Sequence, residues 1–220
     1  MTTTIICRHE SAGFRFRFRF LLAAIVFALL MIVDRAGAAT PREQIQSSVE
    51  KVIAILKDPN LKPEAKKSER IEQLRQVIFP KFDFTEMAKR SLGADWQRRN
   101  PEEQREFVKL FTELIETSYA SNLGSYNGEK VVFTGDKQDG EYAQVDTKIT
   151  SNKGEETSVS YKLRQSGSEW KIYDVVIENI SIVNNYRSQF TRVIARSSFA
   201  DLLRQMKDKQ FDTAAKKQKS

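Results

Sequence analysis

The histidine and the cysteine of this 220-residue chain, His9 and Cys7, occur once each and both lie near its N-terminus. Everything after them lacks imidazole and thiol, so a Ser-His-Asp or Cys-His arrangement cannot be assembled there and the common zinc ligand sets are missing. Paired carboxylates remain for hydrolytic chemistry, for example Asp174 with Glu178. On a strand, residues four apart share a face but stand about 13 Å from each other, beyond the roughly 5 to 9.5 Å used in glycoside hydrolysis. A hydrogen-bonding role near a strand edge is the plainer reading of Asp174, and no enzyme, metal or cofactor is expected.

Arg15, Arg17 and Arg19 precede an apolar run from Phe20 to Val33, and Ala36, Gly37, Ala38 and Ala39 follow it. A basic region, an apolar core too short to span a bilayer comfortably and small residues at the −3 and −1 positions are the three parts of a secretory signal peptide. Residues 1–39 are therefore expected to be a leader cleaved after Ala38 or Ala39, which removes Cys7 and His9 and leaves a core without disulfides. The leader takes five arginines and two acids with it, so the formal charge of +7 falls to +4, from 31 basic and 27 acidic residues. The phenylalanines interleaved with Arg15, Arg17 and Arg19 mimic a nucleic-acid patch but belong to the leader. Later lysines and arginines are mixed with acids, so no nucleic-acid partner is expected. An export signal and a mildly basic product point to an envelope or extracellular compartment.

The rest of the chain is organised around Glu169–Phe190. Trp170, Ile172, Tyr173, Val175, Val176 and Ile177 predict a strand covered on both faces. From Ile180 the apolar positions Ile180, Val183, Tyr186, Phe190 and Ile194 recur at helical spacing, so the strand is expected to feed directly into an amphipathic helix. Upstream, helices are predicted over 41–56 and 63–79, the first ended by Asp58-Pro59 and the second by Pro80. A short helix follows that is capped by Asp83 and Glu86, stapled by Phe82 against Met87 and closed by Gly93. Asn100-Pro101-Glu102-Glu103 opens a long helix to Leu123, with Phe107, Leu110, Phe111, Leu114, Ile115, Ser118 and Tyr119 on one face and Gly124 ending it. Strands come next: Lys130–Thr134, a turn region over 135–140, alternation from Ala143 through Ile149, a turn at Asn152-Lys153-Gly154, alternation from Thr157 through Leu163, and a turn into Trp170. Short turns imply an antiparallel meander of about four strands. Phe199, Leu202, Leu203 and Met206 mark a last helix, and 211–220 reads as a flexible tail. The expectation is one α+β domain over 40–210, with a helical layer over 40–125, a sheet over 129–178 and C-terminal helices over 180–210.

Three stretches, DFTEMAKRSLG at 83–93, WQRRNPEEQREFVKLFTELIETSYASNL at 96–123 and WKIYDVVIENISIVNNYRSQF at 170–190, together resemble the MlaC, or toluene-tolerance Ttg2D, family, in the expected order and over most of the chain beyond the leader. The resemblance implies a soluble periplasmic glycerophospholipid carrier. Such a carrier shuttles lipid between an outer-membrane lipoprotein–porin complex and an inner-membrane ABC transporter bearing an MCE-domain protein, maintaining outer-membrane lipid asymmetry. It further implies a curved antiparallel sheet wrapped by helices around a deep apolar pocket, with the head group near its mouth. The family's Tyr-Arg pair falls on Tyr186 and Arg187. Its Glu-Gly-Val-Ser-Leu is Glu178-Asn179-Ile180-Ser181-Ile182 here, and Asn179 in place of glycine bears on the local turn, since asparagine tolerates left-handed backbone better than most residues.

Periodicity and resemblance together give the expected lipid-binding set: Val145, Val159 and Tyr161 on strands, Phe111 and Tyr119 on the long helix, and Val183, Tyr186, Phe190 and Ile194 after the central strand. Arg187 is expected at the mouth, where a guanidinium can pair bidentately with phosphate while its stem covers acyl carbons. The same valines, isoleucines and aromatics also fit plain core packing, and Arg187 also fits an ion pair with Glu178. A monomer is expected, and an adaptor whose apolar faces merely close a core is the competing role.

Overall fold

The computed structural model describes residues 39–123, 128–208 and 211. Helix α1, Pro41–Lys57, starts on a reciprocal cap in which the Thr40 hydroxyl accepts from the Glu43 N–H and Glu43 accepts from the Thr40 N–H, with proline at the first position. A 3₁₀ turn, Glu64–Lys66, leads into α2, Lys67–Ile78, on which Leu74 is fully buried. Helix α3, Phe84–Leu92, is capped by Asp83, whose side chain accepts from the Glu86 N–H at 2.9 Å. The reciprocal half of that cap does not form, because the Asp83 N–H donates to the Ile172 carbonyl at 2.8 Å and Glu86 accepts from Arg90 at 2.7 Å. Phe82 likewise stacks on Phe84 at 5.5 Å, and its backbone bridges Ile172 in parallel. Gly93 ends α3 at φ +63°. Helix α4, Pro101–Leu123, opens on a reciprocal cap between Asn100 and Glu103, both bonds 2.9 Å. The expected stop at Gly124 lies outside the described residues.

The sheet holds β1, Lys130–Asp139, β2, Tyr142–Thr150, β3, Glu156–Ser166, β4, Glu169–Ile177, and β5, Ile180–Ser181, antiparallel and in sequential order without closing. Strand β1 runs well past Thr134. The register shift between Phe133 and Gly135 absorbs an extra residue, pairing resumes at Gly135 with Asp146, and the turn expected over 135–140 narrows to the region of Gly140, where φ is +55°. The sheet has five strands rather than about four, because β4 does not feed straight into a helix. Glu178 and Asn179, at φ 46° and 65°, turn the chain back so that Ile180 pairs with Ile177 and Ser181 with Val176. Only then does α5, Ile182–Arg196, begin, with Ser181 as its cap. Helix α6, Phe199–Lys207, follows on Ser198. Of the residues expected as a tail, Phe211 is described, and its ring meets Phe190 edge-on at 5.2 Å.

Helices flank the sheet from both ends of the chain. Arg42 of α1 pairs with Asp136 at 2.9 Å and lies over the Phe133 ring, while the Gln44 amide donates to the Trp170 carbonyl and accepts from the Trp170 N–H. One contiguous apolar core joins Ile45 of α1, α3, the long face of α4, one sheet face, α5 and α6.

Candidate functional site

Register decides which strand residues share a face. Four successive rows cross the face that enters the core: Ala143, Leu163 and Ile172; Val145, Tyr161 and Val175; Thr147, Val159 and Ile177; and Ile149 with Thr157. Burial is graded along them. The first row is filled, the second and third each hold one half-buried side chain, Tyr161 and Ile177, and in the fourth both residues are half-buried. Apolar packing is therefore complete at the Leu163 end and relaxes toward Ile149.

Tyr161 marks the middle of this gradient. Burial pushes its phenol above the ordinary value of 10.0, partly offset by a hydrogen bond with Thr147, whose hydroxyl also donates to the Val159 carbonyl at 3.0 Å. Yet the residue keeps accessible surface. A group walled in by protein that still presents open surface is what a residue lining a recess shows. Tyr119 of α4 and Val193 and Ile194 of α5 are half-buried against the same core.

Phe111, Tyr186 and Phe190 are fully buried where α4 meets α5. Phe111 meets Tyr186 and Phe190 edge-on at 5.7 and 6.1 Å, and Phe107 meets Phe190 at 5.6 Å, the spacing and tilt that aromatic quadrupoles favour. The Tyr186 hydroxyl lies 3.1 Å from the Ser118 hydroxyl, so this ring has a polar partner across the helix pair. The expected set thus divides. Val145, Val159 and Tyr161 share the sheet face, Phe111, Tyr186 and Phe190 form an aromatic cluster, and Tyr119 and Ile194 stand half-buried at its margins.

Val183 is buried in the first turn of α5, where its N–H donates to Asp174 at 3.1 Å. The other Asp174 oxygen accepts from the Ser181 hydroxyl at 2.7 Å, with Lys162 at 3.7 Å. A carboxylate at a helix N-terminus satisfies orphan amides and meets the positive end of the dipole. Glu178 accepts from the Ser158 N–H, so it supports the turn rather than pairing with Arg187. Arg187 is exposed and lies across the end of α3: a side chain at Gly93 would place its Cβ 2.9 Å from Nε and Nη2 of Arg187. The guanidinium therefore sits at the carbonyl end of a helix, where a cation is favoured, over a glycine whose φ of +63° a side chain would strain.

Helical spacing puts Ser118 on the inner face of α4 but gives it no role, since its hydroxyl becomes informative only with Tyr186 opposite. The anchoring role of Asp174 is likewise hidden from the sequence, because it depends on the β5 turn. Among the described residues no three His, Cys, Asp or Glu side chains gather as metal ligands, and no helix is long and apolar enough to cross a membrane.

An unclosed antiparallel sheet with one apolar face graded from packed to half-buried, flanked by helices, defines an α+β protein. The chain belongs to the MlaC family, whose description, MlaC protein, matches residues 46–208. It is 27% identical over 179 residues to the toluene tolerance protein ttg2D of Pseudomonas putida, covering 80% of each chain. It is 20% identical over 191 residues to the intermembrane phospholipid transport system binding protein MlaC of Haemophilus influenzae, covering 84% of this chain and 89% of the other. The fold is shared with a phospholipid-binding protein from Ralstonia solanacearum solved in complex with a phospholipid, at TM-score 0.70 and 24% identity, over 78% of this chain and 97% of that one.

Proposed function

We propose that this protein is a periplasmic glycerophospholipid carrier, exported by a leader over residues 1–39, that receives and delivers lipid between an outer-membrane lipoprotein–porin complex and an inner-membrane ABC transporter with an MCE-domain protein, so maintaining outer-membrane lipid asymmetry. Membership of the MlaC family and the name of the Haemophilus influenzae relative support the lipid and transport parts of this reading. The observation that carries it is the graded sheet face: apolar side chains that stop packing tightly from Tyr161 toward Ile149 and Ile177 offer acyl chains a surface to lie on. Val145, Val159, Tyr161, Phe111, Tyr119, Val183, Tyr186, Phe190 and Ile194 are the proposed apolar contacts, and Arg187 is the proposed contact to the head group.

Burying two acyl chains of about 30 methylenes is worth roughly 24 kcal/mol against water. A bilayer already offers the tails an apolar medium, so transfer from bilayer to pocket is close to neutral and calls for no catalytic group. Direction then comes from the relative affinities of the partners or from ATP hydrolysis at the transporter.

Native mass spectrometry of protein gently purified from a diderm host, followed by denaturation and lipid identification, tests the reading. Stoichiometric glycerophospholipid is expected. Protein that arrives empty and acquires no lipid from liposomes would return it to an adaptor role.

A further inference from the structure

Charged side chains on most helices are arranged in opposite-sign pairs, such as Arg75 with Glu72 on α2, Arg90 with Glu86 on α3 and Arg105 with Glu102 on α4. Helix α5 breaks this pattern. It contains Arg187, Arg192 and Arg196 and no aspartate or glutamate. All three arginines are exposed, and among the described residues none of them forms an ion pair. Between them the outward face presents Asn184, Ser188, Thr191 and Ala195, all exposed. Over 15 residues this makes a strip about 22 Å long at 1.5 Å per residue.

Like charges on one helix without acidic neighbours add no pairing energy to the fold. A specific protein interface is centred on anchors that fill pockets, usually aromatic or arginine side chains surrounded by packed neighbours. This face carries no aromatic and no large apolar side chain, and Arg192 and Arg196 border a smooth polar strip. Such diffuse, single-sign charge complements a surface whose negative groups can move to meet it. The missing apolar anchor also excludes insertion between acyl chains. We infer that the outward face of α5 docks the protein on anionic phospholipid bilayers, with Arg192 and Arg196, about one turn apart on the helix, holding their charge at the level of the headgroup phosphates. The inference rests on the carrier reading for its purpose, since a carrier exchanging lipid works at a bilayer surface.

Vesicle flotation of protein from the soluble periplasmic extract of an expressing diderm host tests it. The protein is expected to float with vesicles of equal parts phosphatidylglycerol and phosphatidylcholine at low salt, to stay behind with phosphatidylcholine alone, and to be released as salt rises. Arg192→Gln and Arg196→Gln should each lower partitioning about fivefold. Lys51→Gln and Lys57→Gln, on exposed positions of α1, should leave it near wild type. Arg192→Lys combined with Arg196→Lys preserves charge and should float like wild type. Binding to neutral vesicles alike, no binding at low salt, or partitioning unchanged in both glutamine variants would overturn the docking surface. Loss of flotation in the lysine variant would also overturn it, because charge alone would then not be what holds the protein on the vesicle. Native mass spectrometry on the same samples separates the two readings: lipid-free protein that still floats upholds the docking face and removes the carrier, whereas lipid-loaded protein that fails to float does the reverse.

Discussion

Tyr161 combines a desolvated phenol with open surface, and each half gives a measurable consequence. Below the ordinary value of 10.0, folded and unfolded chains both hold the proton. Above it the unfolded chain ionises first, because the folded value is raised, so stability is lost as pH climbs from there through the folded value. Urea titrations across this alkaline window should show a steeper decline for wild type than for Tyr161→Phe; parallel declines would mean that the phenol is freely solvated. The open half of the gradient predicts a contrast between two insertions. Tryptophan at Leu163, fully buried in the filled first row, should overpack and cost about 1 to 3 kcal/mol. At half-buried Ile177 it should displace bound lipid while thermal unfolding stays near wild type. Equal destabilisation at both sites, with lipid retained, would place Ile177 in solid core.

The junction of β4 with α5 depends on two residues that the pattern of apolar spacing treats as incidental. Asp174 holds the first turn of α5 through the Val183 N–H and the Ser181 hydroxyl, so Asp174→Ala should cost about 2 to 3 kcal/mol by chemical denaturation. An effect near zero would show that water replaces the carboxylate there. Asn179 sits at φ 65°, which glycine adopts without the Cβ penalty, so Asn179→Gly should stabilise by about 0.5 to 1 kcal/mol, read as a higher urea midpoint with the slope unchanged. Long, strongly periodic elements are legible in the sequence itself: the reciprocal cap at Asn100 and Glu103, the face of α4 and the alternation in β2 and β3 all follow from local chemistry. What is not legible there is set by partners distant in sequence. The amide of Asp83 is taken by Ile172, which undoes the local capping box, and the two-residue strand β5 exists because it completes the edge of β4. Among the candidate site residues, spacing places Val145, Val159 and Tyr161 on one face, but only register reveals how tightly each is packed there. Nothing local to Arg187 could announce Gly93 beneath it.

For the molecule as a whole, the proposed export and handover can be checked on intact material. N-terminal sequencing of periplasmic protein should find Ala39 or Thr40 first, and an uncleaved chain recovered with membranes would remove the soluble shuttle. The fold also constrains when such a chain can finish folding. Gln44, near the start of the described fold, reaches 126 residues along the sequence to clasp the backbone of Trp170 in the last long strand. Contacts of that separation return nothing until the intervening loop has been closed. A polypeptide released N-terminus first therefore keeps α1 without its clasp until β4 has emerged, and it remains open and threadable for most of its passage.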